Sequence, residues 1–220
     1  MTKNEMNRVA LYTIATLLLA ITTARSSAQE ATNARQLQEV VVLGGKQKTL
    51  SSKGTRILGA VSMLTPDKVG YEVGSALRVK HPFEVEEIEF FIISNSIKDV
   101  TLQIAVYRDS TFTEALSHPI MVNIPVGDRQ RIVATPIERT LLEPGDYIIG
   151  VTFASCDAET QQQWINSDQW DGQTHYQMMT KQSLQFPLYM KAQQIRSNSD
   201  DAFEKCPTNI GLKVRGTLYR

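Results

Sequence analysis

The chain has 220 residues, 23 Lys and Arg against 23 Asp and Glu, and a formal net charge of zero. Nothing in that balance suggests a nucleic-acid partner, which would want Lys and Arg clustered on one face. A chain of this size can bury a core without many covalent staples.

The first residues read MTKNEMNRVALYTIATLLLAITTARSSAQ. Lys3 and Arg8 form a positive front, Val9 to Thr23 is a mostly apolar run, and Ser26-Ser27-Ala28 sets small residues before Gln29. This is the three-part pattern of a secretory signal peptide spanning residues 1–28. The apolar run is shorter than the roughly 20 residues a transmembrane helix needs. Its removal leaves 192 residues carrying 20 basic and 22 acidic side chains, with no second long apolar run. The expected product is exported, to the periplasm or the outer-membrane surface, with no transmembrane segment.

Residues 29–55 read as a flexible segment. A polar tail is followed by Gln38-Glu39-Val40-Val41-Val42-Leu43-Gly44-Gly45 and then by KQKTLSSKGT, a linker by composition. From Arg56 the texture changes to short apolar segments, expected to form one domain over residues 56–220. RILGAVSML reads as a strand covered on both faces. VEEIEFFIIS places Ile88, Phe90 and Ile92 on one side, with Glu87, Glu89, Phe91 and Ile93 opposite. VTLQIAVYRD turns Val100, Leu102, Ile104 and Val106 inward, with Thr101, Gln103 and Tyr107 outward. PIMVNIPV supplies Ile120, Val122, Ile124 and Val126, and DYIIGVTFAS supplies Tyr147, Ile149, Val151 and Phe153. NIGLKVRGTLY ends the series with Ile210, Leu212, Val214 and Leu218.

Period-two alternation of this kind predicts half-buried antiparallel strands. Turn signals separate them, the strongest being Glu143-Pro144-Gly145-Asp146, where Pro presets φ and Gly accepts a positive one. Asp157 to Ile165 is the best short helix candidate. The pattern predicts an all-β fold: a two-sheet antiparallel β-sandwich with jelly-roll-like connections.

Two polar insertions interrupt the strands, Gln161 to Met179 and Gln194 to Lys205. The first holds Trp164, Trp170 and Tyr176 at six-residue intervals among Gln and Asp, including Asp168 and Asp171. Aromatic faces beside amides and carboxylates could stack on a sugar ring and bond its hydroxyls. The competing role is to cap the open edge of the core. Asp157, Glu159, Asp168 and Asp171 share one region, so a pair of them facing each other across a cleft would favour a carbohydrate hydrolase.

The three histidines, His81, His118 and His175, show no metal-binding spacing, and no cofactor motif is present. Cys156 and Cys206 are an even pair in a chain read as exported, which favours a disulfide. It would close a loop of about 50 residues and stabilise by roughly 3–4 kcal/mol in the chain-entropy treatment. A free Cys156 acting with His175 is the alternative.

From about Gly59 to Leu218, the segments GAVSML, KHPFEVEEIEFFI, VTLQIAVYRD, PIMVNIPVGDRQRIVATPI and LLEPGDYIIGVTF follow one another in a familiar order. The order resembles a β-sandwich domain of exported Bacteroidota proteins, often attached to a carboxypeptidase-like regulatory domain. Glu39, Val40, Val41 and Val42 resemble the segment near the start of TonB-dependent receptors, and of regulatory-domain proteins from the same lineage. There it pairs by strand addition with a TonB-like periplasmic partner. The regulatory domain that usually precedes the segment is absent from this sequence. The 177 residues after Leu43 cannot supply a receptor barrel, so transport is not carried over.

The expectation is a non-catalytic cell-envelope module that binds a glycan or an envelope protein. The alternatives are a secreted carbohydrate-acting hydrolase and an interaction module engaging a TonB-type partner. If residues 39–43 are such an address, deleting them abolishes co-purification with the periplasmic partner. Unchanged pull-down contradicts it.

Overall fold

The computed structural model describes residues 45–108, 115–197 and 204–220. Residues 1–28 and the segment Glu39–Val42 lie outside them.

The protein is an all-β sandwich of two antiparallel sheets packed together. In the first sheet β1 (Lys46–Ser51) pairs with β12 (Lys213–Leu218), and β12 pairs with β4 (Phe83–Asn95). On the other side of β4 lie β7 (Gly127–Ala134) and β8 (Thr140–Leu142). The second sheet runs β3 (Glu72–Val79), β9 (Gly145–Ser155), β5 (Val100–Arg108) and β6 (Ile120–Ile124). The long strand β10 (Leu184–Arg196) joins the two. It begins beside Asn95 of β4 and ends beside Glu72 of β3, carrying β2 (Thr55–Leu64) and β11 (Glu204–Asn209) on its flanks.

Strand β4 shows how the sequence dictates this arrangement. Phe83 and Val85 are buried, and so are Ile88, Phe90 and Ile92. Val85 and Ile88 are three apart, which a period-two strand cannot place on one face. The chain inserts one extra residue at Glu86-Glu87, where the pairing with β12 shifts between Arg215 and Gly216. Both glutamates then point outward, and the apolar side resumes in phase. The glycine at 216 is required by this close approach, because a Cβ there would overlap the carbonyl oxygen of Glu84. Inside, Phe90 meets Phe186 at 6.2 Å between ring centroids. Each large apolar side chain buried here contributes about 1.5–3 kcal/mol.

Outside, β4 clamps its neighbours by charge. Glu89, only 8% exposed, accepts from Arg131 Nη2 at 2.7 Å, Lys213 Nζ at 3.0 Å and Arg215 Nη2 at 2.7 Å. Glu84 likewise holds Arg139 and the Tyr219 hydroxyl.

Several expectations change. The polar stretch Lys46–Ser51, read as linker, is strand β1. β2 is a half-open strand with Leu58 87% exposed, not one covered on both faces. Val126 is 59% exposed because β6 ends at Ile124. Tyr107, expected outward, is buried in a small second cluster with Ala105 and Ile148. The expected disulfide is not formed: Cys156 and Cys206 are free. Cys156 follows β9, which pairs with β3 and β5, whereas Cys206 sits on β11, which pairs with β10. Cys206 therefore sits on a strand that does not pair with the one Cys156 follows.

The Arg131 hydrogen bond, reinforced by Lys213 and Arg215, holds the Glu89 carboxyl down to about 2 against its burial, from a usual 4.5. Its stabilisation is complete above pH 4.5 and is lost as pH falls from 4.5 toward 2. Glu89→Gln is expected to lower stability at neutral pH by about 1–3 kcal/mol. It should also flatten the acid limb of a denaturation series, and an unchanged limb would contradict the role given to this carboxylate.

Candidate functional site

Two features stand out on this scaffold: the helical insertion after β9 and a cleft between β1 and the end of β3. The insertion contains α1 (Ala158–Ile165), a one-turn 3-10 segment Asn166–Gln169 on which Asp168 lies, and α2 (Gly172–Lys181). The Asp157–Ile165 expectation holds, with Asp157 as the cap of α1, while α2 forms within what reads as a polar insertion. Asp157 Oδ2 accepts from Thr160 N at 2.9 Å, and Asp171 Oδ1 from Thr174 N at 2.7 Å. Both start helices in the same way, a side-chain oxygen satisfying a donor of the first turn. The Thr160 hydroxyl and amide lower the Asp157 pKa, and the Thr174 amide and hydroxyl lower that of Asp171. The two carboxylates are held in the charged form, which is opposite to what a general acid needs. Glu159 is exposed on the first turn of α1.

The aromatic residues do not form one surface. Trp164 is 1% exposed and donates from Nε1 to Gln182 Oε1 at 2.6 Å. Trp170 and His175 stand edge-on against its ring, at 5.4 and 5.5 Å between centroids. The edge-to-face geometry matches the ring quadrupoles. Trp164 is thus the interior of the insertion. Trp170 is half-buried, and Tyr176 is 68% exposed. Burial, then the charge of Asp157, pushes the Cys156 thiol up to about 11, so it is un-ionised at neutral pH.

The cleft was not anticipated. It has a volume of about 380 Å³, and its basic lining is Lys46, Lys48, Arg78, Lys80, His81 and Arg220. Leu50, Val79, Phe83 and Leu218 form its apolar floor. No Asp or Glu side chain lines it. A second concavity shares Arg78, Val79 and Lys80 and adds Pro144, Gly145 and Asp146. Asp146 reaches Arg78 at 3.7 Å, an exposed pair worth at most about 1 kcal/mol. The arrangement can take up a ligand with several negative charges.

The sequence carried a faint signal of this site in its two i, i+2 pairs, Lys46 with Lys48 and Arg78 with Lys80. Alternation along a strand puts each pair on one side. Only the fold brings β1 and β3 to the same cavity.

Among the described residues, no group of three or more His, Cys, Asp or Glu is placed to hold a metal ion. Nor is any helix among them long and apolar enough to cross a membrane.

No family model matches the chain, and no curated protein matches it. Two solved structures are similar in outline. One is a family two carbohydrate esterase from Cellvibrio japonicus, at 9% identity and a TM-score of 0.29, over 80% of this chain and 35% of that one. The other holds the cysteine protease and lectin-like domains of Cwp84, a surface layer associated protein of Clostridium difficile. It shows 12% identity and a TM-score of 0.37, over 74% of this chain and 36% of that one. The chain thus spans about a third of the length of each. At such scores neither carries function across. What the fold and site define is a β-sandwich with a two-helix insertion and a cationic cleft.

Trp164→Ala is expected to destabilise the protein by about 3–5 kcal/mol in chemical denaturation. Tyr176→Ala should stay within about 0.5 kcal/mol. Equal effects would contradict the division between interior and surface.

Proposed function

We propose that this chain is an exported cell-envelope β-sandwich with a non-catalytic binding role, and that the cationic cleft is its binding site. The carrying observation is the collection of Lys46, Lys48, Arg78 and Lys80 around one concavity with no Asp or Glu among its lining residues. In a chain of zero net charge, such segregation is local and not a by-product of composition. Like charges gathered in a cleft repel one another, and an anionic ligand relieves that cost. A concave site of one sign also focuses its field and speeds capture of an oppositely charged partner.

Export and envelope location rest on the signal-peptide pattern of residues 1–28. The resemblance of Glu39–Val42 to a TonB-recognition segment supports the same compartment. The hydrolase alternative is less well supported, because Asp157 and Asp171 are engaged as helix caps. A sugar platform on the insertion is left with Trp170 and Tyr176, since Trp164 faces inward.

The test is calorimetric titration with galacturonate oligomers, Glu-rich peptides and inorganic polyphosphate. At least one anion binds, and binding weakens as added salt shortens the Debye length from about 10 Å to about 3 Å. Lys48→Glu/Lys80→Glu lowers the affinity at least about tenfold. Binding that ignores both salt and this double variant contradicts the assignment.

A further inference from the structure

The cleft is bordered by incomplete strand edges as well as by cations. β1 pairs with β12 along its whole length and, among the described residues, has no partner on its other side. β3 pairs with β9 at all its positions but with β10 only from Glu72 to Gly74. The remainder of β3, toward Val79, has β9 as its one strand partner among the described residues. Lys46, Lys48 and Leu50 of β1, and Arg78 and Val79 of β3, line the same cavity. Unpaired edges present rows of amide and carbonyl groups ready to receive another strand.

We propose that β1 receives an extended acidic segment of a partner protein as an added strand, its Asp or Glu side chains facing Lys46, Lys48, Arg78 and Lys80. The inference rests on the cleft being the binding site, and it names the class of ligand. Main-chain hydrogen bonds to the β1 edge supply affinity, and alternate side chains directed into the cleft set the register. Opposite charges directly across a strand pair add roughly 0.2–1 kcal/mol each relative to apolar small pairs.

The charge pattern selects this occupant over others. A second copy of the chain would bring a second Lys-bearing β1 against the first, and like charges facing across strands are destabilising. A membrane surface would call for protruding apolar side chains, yet none of the large exposed apolar residues lines the cleft. An acidic glycan would neutralise the cations and leave the backbone edge unused.

The experiment uses the full chain with a peptide of alternating Glu and Val, about eight residues long. Its two comparators are the same peptide N-methylated along the edge that would face β1, and hexagalacturonate. Binding and amide hydrogen exchange are measured together. The proposal predicts that exchange slows at least about tenfold at every second amide between Lys46 and Ser51. It predicts that N-methylation and Lys46→Glu/Lys48→Glu each weaken peptide binding by a similar factor or more. Peptide binding with no protection of β1 overturns strand addition and leaves the cleft reading intact, as does equal binding of the N-methylated peptide. So does hexagalacturonate binding more tightly than the peptide. Failure of peptide, hexagalacturonate and inorganic polyphosphate alike to bind sinks the cleft reading itself.

Discussion

Glu89 lies beneath three cations drawn from the strands on either side of it: Arg131 from β7, Lys213 and Arg215 from β12. The carboxylate is nearly buried, so its pairing is screened less than that of an exposed salt bridge. On the opposite face of the same strand, Phe83, Val85, Ile88, Phe90 and Ile92 fill the core. β4 therefore fixes β12 from both sides, by packing within and by charge without. β12 in turn is the neighbour from which β1 hangs, and β1 forms one wall of the cleft. The binding surface proposed for this protein thus rests on one bulged strand.

Charge is divided along the same line. Acids gather on the outer face of β4 and are met there by Arg131, Lys213 and Arg215 from adjacent strands and by Arg139 just before β8. The cations of β1 and the end of β3 have no comparable set of acids. Two regions of one neutral chain consequently do different work, the first holding strands together and the second left to attract a ligand. The helical insertion belongs with the structural part. Trp164 is consumed by the insertion's own interior, and Asp157 and Asp171 are consumed in starting helices.

Much of the fold was legible because the strands at the centre of the sheets alternate cleanly. Val100, Leu102 and Ile104, or Ile149, Val151 and Phe153, announce a buried face by spacing alone. The edges were not legible, for a physical reason. β1 buries little, so KQKTLS carries almost no apolar signal and reads as linker; its strand state is imposed by β12. Tyr107 was misplaced because a second small cluster covers part of the outer face of its sheet. Compartment and count pair the cysteines but say nothing of whether two strands adjoin. The tryptophans stand out in a polar stretch, yet a six-residue recurrence cannot tell which of them an α-helix will turn inward. The cleft stayed hidden because its two lysine- and arginine-bearing strands are distant in sequence and meet only in space.

The proposed recognition occurs at the cleft lined by β1 and the end of β3, and not on the insertion. Backbone chemical-shift mapping of the full chain during titration with a bound anion tests it most directly. The largest changes are expected over Lys46–Leu50 and Arg78–His81. Changes concentrated on Trp170, His175 and Tyr176, with the β1 and β3 signals unmoved, would contradict it.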